Sequence, residues 1–275
     1  WRLGMVHMDA GPSVVAHLVE DCGQGDRVKL SLNLDRSGHA VMNARPENST
    51  PQQEDDLQLR ELSMDPKDRR ILIVNGKTPL GLALARSFQA AGAREIFIGY
   101  CEPWKASTSL EKIKTMDDTT LFPLDVTDTD SVEELAAVLG GKVEILVNNS
   151  YHLRPGGVVD RMDLNISRDE MEIHYFGLQR LAGTFGPAMR ARGADGNHGA
   201  CAWVNVLSAY AQVNNPHFGT YSASQAAARS LTQCLRAELR SGGIRVVNAY
   251  VGPLDDEWHQ MVPPPKLGAR TVAER

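Results

Sequence analysis

From Arg70 onward the chain repeats one pattern, a short apolar run followed by a longer stretch of helical character, and this alternation limits the fold more than any other feature. The runs are Ile71-Leu72-Ile73-Val74, Glu95–Tyr100, Thr120–Val126, Val143–Asn148, Cys201–Ser208 and Ile244–Tyr250. Short apolar runs bounded by turn residues read as strands buried on both faces. Helices are expected from just after Gly76 to near Gly92, then over Ser131–Leu139, Asp169–Arg192 and Ser222–Ser241. Ser131-Val132-Glu133-Glu134 reads as a capping box at the start of one of them. Six strands alternating with helices predict an α/β fold built on a doubly wound parallel sheet.

Two further zones precede this one. Residues 1–45 hold apolar stretches at Leu3–Met8, Val14–Val19, Val28–Leu34 and Ala40–Ala44, separated by Gly11-Pro12, Gly23–Gly25 and Asp35–Gly38. A small all-β segment fits, with a hairpin at the last of these breaks. Forty-five residues are too few for an independent core. Residues 46–69 read as a polar linker, with Pro46, Pro51 and the acidic run Glu54-Asp55-Asp56, and a short helix is conceivable over Leu57–Leu62. The expected organisation is therefore 1–45, 46–69 and 70–275. A start at Trp1 without methionine suggests that the native chain begins elsewhere, and Leu267–Arg275 reads as a helix just beginning.

Composition narrows the chemistry. A net charge of −5 with dispersed basic residues gives no footprint for nucleic acid or a membrane surface. No apolar run approaches the length of a spanning helix. The four cysteines are far apart and the eight histidines form no ligand spacing, so neither a disulfide framework nor a metal site is expected. A cytoplasmic location follows as the expectation.

The motifs of residues 71–253 occur in a recognisable order. Asn75-Gly76-Lys77-Thr78-Pro79-Leu80-Gly81 stands at the first strand–helix turn, Leu124-Asp125-Val126 after the third strand, and Asn148-Asn149-Ser150-Tyr151 after the fourth. Ser208 ends the fifth strand, Tyr221 follows thirteen residues later, and Gly252-Pro253 follows the sixth. In this order the segment resembles the short-chain dehydrogenase/reductase family. The resemblance implies a Rossmann-type sheet, an NAD or NADP cofactor and an oxidoreductase activity. It implies cofactor contacts at Gly76, Lys77, Gly81, Asp125, Val126 and Asn148. It assigns Ser208 to the substrate carbonyl and Tyr221 to proton transfer, and places His174 and Gln225 where the family has its relay asparagine and lysine.

Departures from the family pattern gather at these same positions. Gln225 stands four residues after Tyr221, on the same helix face, where a lysine would favour the phenolate. Two unit charges about 4 Å apart interact by roughly 4 kcal/mol at a dielectric of about 20, or about three pKa units on the tyrosine. Glutamine supplies none of this. Without it, roughly 0.1% of a tyrosine of pKa about 10 is ionised at pH 7, which handicaps alcohol oxidation more than carbonyl reduction. The glycine loop is one residue short. Thr78-Pro79 makes a good helix start, but proline removes a donor from the region that should hold a pyrophosphate. Lys77 can reach a phosphate as a point charge or can sit on a structural turn. Gly99-Tyr100-Cys101-Glu102 carries neither an evident ribose-binding aspartate nor an arginine for a 2′-phosphate, which leans toward NAD. His174 can relay protons or simply pack within its helix.

The N-terminal piece has its own resemblance. Trp1–Pro12, Val15-Ala16-His17-Leu18 and Gly25–Lys29 resemble part of the OB-fold domain that accompanies acyl-CoA thiolases and aldolases. Together these features predict a family subunit with degraded catalytic and cofactor sites. Its expected role is a scaffold in a homo- or hetero-oligomer with a dehydrogenase or thiolase-like chain, with an acyl-CoA-type ligand. The alternatives are a working NAD(P)-dependent carbonyl reductase using Ser208 and Tyr221 with a relay through His174, and a nucleotide-binding sensor.

Overall fold

The computed structural model describes residues 2–19, 21–34, 39–47, 63–159, 162–192 and 199–274. The expected hairpin at Asp35–Gly38, residues 48–62 of the polar linker and the helix expected over Leu57–Leu62 lie outside these residues.

The N-terminal apolar stretches form strands β1 (Leu3–His7), β2 (Ser13–Leu18), β3 (Val28–Leu34) and β4 (Ala40–Pro46), in a four-stranded sheet of order β1-β2-β4-β3. β1 pairs antiparallel with β2 and β3 antiparallel with β4, and β2 runs parallel to β4. Among the described residues β1 and β3 are edges. Much of this sheet remains open to solvent: Leu3, Met5, Val15 and Leu32 are all more than 60% exposed.

The second sheet is the predicted one. Strands β5 (Arg70–Ile73), β6 (Glu95–Tyr100), β7 (Thr119–Pro123), β8 (Ile145–Asn148), β9 (Ala202–Ser208) and β10 (Arg245–Val251) lie in the order β10-β9-β8-β5-β6-β7. Every pairing is parallel. The order reverses between β5 and β8, which makes the crevice beyond their carboxyl ends the place for a ligand. Alternate residues of β5 serve opposite faces. Leu72 joins a core with Phe97, Leu146, Leu181 and Trp203, while Ile71 and Ile73 join one with Ile96, Leu84 and Ile113. Both faces are covered by helices, which is why these strands read as unbroken apolar runs.

The covering helices are α1 (Pro79–Ala90), α2 (Thr108–Ile113), α3 (Thr129–Leu139), α4 (Leu164–Met171), α5 (Gly177–Arg192), α6 (Gly219–Arg240) and α7 (Ala269–Ala273). The expected capping box at Ser131 is corrected. Asp128 caps α3 by accepting from Asp130 N, and the Ser131 hydroxyl instead accepts from Asp125 N, so it ties the helix to the strand end. The helix expected from Asp169 starts earlier, capped by Asp163, and α4 runs into α5 through one π turn at Glu172–Phe176 that contains His174. Such turns recur at functional sites.

Candidate functional site

Two clusters occupy the carboxyl edge of the parallel sheet, one on each side of the switch point. On the β5–β7 side is the shortened glycine loop. Thr78 caps α1 by accepting from Gly81 N at 3.0 Å, and Pro79 fills the first helical position. A proline brings no N–H and the Gly81 N–H is already used, so the helix start offers fewer donors to a pyrophosphate than a glycine loop normally does. The Lys77 ammonium turns sideways, donating to the carbonyls of Glu102 at 2.8 Å and Cys101 at 3.0 Å. Ser107, the cap of α2, donates to Lys77 O at 2.8 Å. The loop is thereby stitched to the segment after β6, where a dinucleotide ribose would be gripped.

The glycines of this half are held by packing. A Cβ on Gly76 would lie 2.2 Å from Ile98 Cγ2, and one on Gly81 would lie 2.2 Å from Asn75 O. A Cβ on Gly99 would meet Val74 O at 2.4 Å. Asn75 and Asn149 bond reciprocally across the switch point, Asn75 N to Asn149 Oδ1 at 2.8 Å and Asn149 Nδ2 to Asn75 O at 2.7 Å. Asn148 donates to Asn205 Oδ1 and accepts from Ser150 N and Oγ, within a network continued by Trp203 and Thr232. Asp125 Oδ1 accepts from Thr127 N and Oγ1, half-buried beside buried Val126. Asp125 and Val126 stand where the resemblance puts the adenine end of a nucleotide, while the Lys77 ammonium is engaged by carbonyl groups of the chain itself.

On the β8–β10 side, Ser208 ends β9 and Tyr221 lies in the first turn of α6, one turn before Gln225. Tyr221 and Gln225 are 3% and 2% exposed. Ser208 N donates to Gln225 Oε1 at 2.8 Å. An amide N–H needs an acceptor, so the glutamine carbonyl faces the strand end and anchors β9 to α6. Burial pushes the Tyr221 phenol above its ordinary value. Its hydrogen bond with Ser208 works the other way, and Asp256, Glu170 and Tyr210 add to the rise. Tyr221 is thus held firmly protonated.

His174 is also buried, and both ring nitrogens are engaged. Nε2 accepts from His152 N at 3.1 Å, and Nδ1 meets Ser224 Oγ at 2.8 Å. Ser224 Oγ donates its one proton to Tyr221 O, so Nδ1 carries the imidazole proton and the ring is neutral. Burial pulls its pKa down to about 3, and His152 adds to the fall. The ring stands edge-on to Tyr221 with centroids 5.3 Å apart. Both of its hydrogen-bond partners are structural, and Gln225 is not among them.

Three residues to which the sequence assigned no role, Tyr151, Asp256 and His259, complete this half. Tyr151 stands edge-on to Tyr221 at 6.4 Å between centroids and donates its hydroxyl to Asp256 Oδ2 at 3.1 Å. Asp256 Oδ1 accepts from Trp258 N, His259 N and His259 Nδ1. Burial alone would raise the Asp256 carboxyl, but hydrogen bonding and charge from His259, with help from Tyr151, hold it below the usual range. The one available signal was Tyr151 itself, at the end of the Asn148–Tyr151 motif. Asp256 and His259 follow Pro253 in a stretch without periodicity. Among the described residues no group of three or more His, Cys, Asp or Glu could hold a metal ion, and no helix is long and apolar enough to cross a membrane.

Comparison with known proteins bears on the same span. The family model described as short chain dehydrogenase matches residues 69–264. An uncharacterized oxidoreductase of Mycobacterium tuberculosis is 30% identical over 210 residues, covering 72% of this chain and 58% of its own. A fatty acyl-CoA reductase of Acinetobacter baylyi is 26% identical over 194 residues, covering 67% of this chain and 62% of its own. The chain therefore spans less than two thirds of the length of these curated relatives. Among solved structures, a short chain dehydrogenase from Burkholderia cenocepacia in complex with NADP aligns with a TM-score of 0.68 at 29% identity, covering 77% of this chain and 83% of that one.

Proposed function

The chain belongs to the short chain dehydrogenase family, and we propose that within it this protein is a non-catalytic or weakly catalytic subunit whose charged machinery has been replaced by structural contacts. The observation that carries the reading is the bond from Ser208 N to Gln225 Oε1. The residue that should lower the tyrosine pKa is uncharged and is spent on backbone support. The stitched Lys77 and the neutral, fully bonded His174 point the same way. NAD or NADP, the second of which the Burkholderia structure contains, would meet Asp125 and Val126 but only a thin phosphate cradle, so binding should be weak. The cofactor would supply the hydride; the part left to this chain is to orient a carbonyl at Ser208 and hold a proton on Tyr221.

A scaffold role beside an active dehydrogenase or thiolase-like subunit, with an acyl-CoA-type ligand, is supported by the OB-like character of residues 1–45 and by the named activity of the Acinetobacter relative. The decisive experiment is titration of the purified protein with NADH and NADPH, paired with a carbonyl-reduction assay of the native chain and Gln225→Lys. Binding too weak to saturate at millimolar cofactor, with less than a tenfold gain on substitution, is the expected result. Ready turnover by the native chain, or a gain of several hundredfold, overturns it.

A second reading has one observation in its favour. Tyr221 retains its Ser208 partner and is held protonated by burial, which suits an acid and not a base. If turnover is found, it should run as carbonyl reduction with alcohol oxidation much the weaker direction. Equal losses in both directions relative to Gln225→Lys would exclude this asymmetry.

A further inference from the structure

The segment after β10 does more than trail from the sheet. Its base is pinned by backbone bonds from Leu267 N to Pro253 O and from Asp255 N to Leu267 O, so residues 255–266 form a loop with fixed ends. Its tip lies on the catalytic-type tyrosine: Trp258 and Val262 pack against the buried cluster of Leu153, Phe218 and Tyr221. The Arg154 guanidinium sits 4.0 Å above the Trp258 ring, and the His259 ring lies 5.5 Å from that of Phe218.

We propose that this loop is a self-locking strap over Tyr221, and that the Tyr151 hydroxyl on Asp256 is its latch. Four hydrogen bonds converge on the Asp256 carboxylate, and three come from the strap's own Trp258 and His259. The fourth, from Tyr151, joins the strap to the body of the domain. The internal three preshape the carboxylate, so the strap can lift as a unit while its own turn stays intact. The latch is also reachable, since the Asp256 side chain is 22% exposed whereas the His259 it holds is 4% exposed. Tyr151 has a second part in the closed state, because its ring stands against the edge of Tyr221 and fills the space beside it. Tyr221 is thus covered by the chain's own side chains, and a ligand must displace Tyr151 from Asp256 to reach it.

The test is hydrogen exchange of amides 255–266, together with nitration of Tyr221 by tetranitromethane, in the native chain and in Tyr151→Phe. Phenylalanine keeps the ring and the turn around Asp256 and removes only the latch. A hydrogen bond to a charged acceptor is strong enough that exchange of the strap and labelling of Tyr221 should each rise about tenfold. Exchange in β5 and α1, and nitration of the exposed Tyr250, should stay unchanged. Arg154→Met, which frees the Trp258 ring from outside, should act in the same direction and less. Strap exchange and Tyr221 labelling that match the native chain in both variants overturn the proposal, as does a rise matched throughout the protein, which would be general unfolding. No nucleotide or turnover enters these readouts, so they are independent of the catalytic reading. Carbonyl reduction appearing in unlatched Tyr151→Phe would count against loss of catalysis and not against the latch.

Discussion

The two halves of the crevice keep their family residues for similar reasons and lose them for similar reasons. On the β5–β7 side Gly76 and Gly81 remain where a methyl group would strike a neighbour, and Asn149, from the end of β8, bonds across to Asn75 just after β5. On the β8–β10 side Asn148 remains within a buried amide network. On our proposed reading, what both sides lack is charge aimed at a ligand. Lys77 points at carbonyl groups, and Gln225 stands where a cation would be. The lesson is that steric and hydrogen-bonding roles preserve a motif's appearance independently of its chemistry. A matching motif is therefore stronger evidence for a backbone than for a reaction.

The comparison is best broken where the steric claim is sharpest. Gly81→Ala places a methyl carbon 2.2 Å from Asn75 O, a backbone atom that cannot swing away. It should cost about 3 kcal/mol or more, read by urea unfolding in the absence of any nucleotide. A near-neutral result would mean that this glycine is kept for ligand approach and not for packing.

The proton-transfer half is tested through His174. Its folded pKa of about 3 lies below the usual 6.5, so the unfolded chain binds the extra proton first. The stability it protects is full above pH 6.5 and is lost as pH falls toward 3. By pH 4 this amounts to about 3 kcal/mol on an order-of-magnitude reckoning. Replacing His174 with glutamine should flatten that part of a stability–pH profile. A slope that survives would show that another group carries it.

The smallest effect sharpens the nucleotide side. Lys77→Met should lower stability by about 1 kcal/mol through loss of its two carbonyl bonds, and should leave NADPH affinity within threefold of native by calorimetry. A tenfold loss of affinity would return Lys77 to the phosphate.

Much of the fold was legible in advance. Ile71 to Val74, Glu95–Tyr100 and the other apolar runs are the observed parallel strands within one or two residues at most ends, because burial on both faces leaves no room for polar alternation. Thr78-Pro79 was readable as a helix start because capping is local chemistry. The capping box at Ser131 misled because the hydroxyl had a competing partner, Asp125 N, contributed by the preceding strand end. The identities of Ser208, Tyr221, Gln225 and His174 were readable, but their bonds were not. Nothing at position 225 announces that its amide will face Ser208, seventeen residues earlier.

The sequence by itself determined the parallel sheet, its helices and the absence of a lysine beside Tyr221, since periodicity, caps and residue identity act over a few neighbouring positions. Only the tertiary structure decided where the remaining polar groups point. The turn of Lys77 toward Cys101 and Glu102, the locked neutral ring of His174 and the Tyr151–Asp256 latch each join residues 22 to 105 positions apart. Such contacts exist only once the strands are in register. Burial then obliges each polar group to find a partner there, and which partner it finds depends on the assembled core.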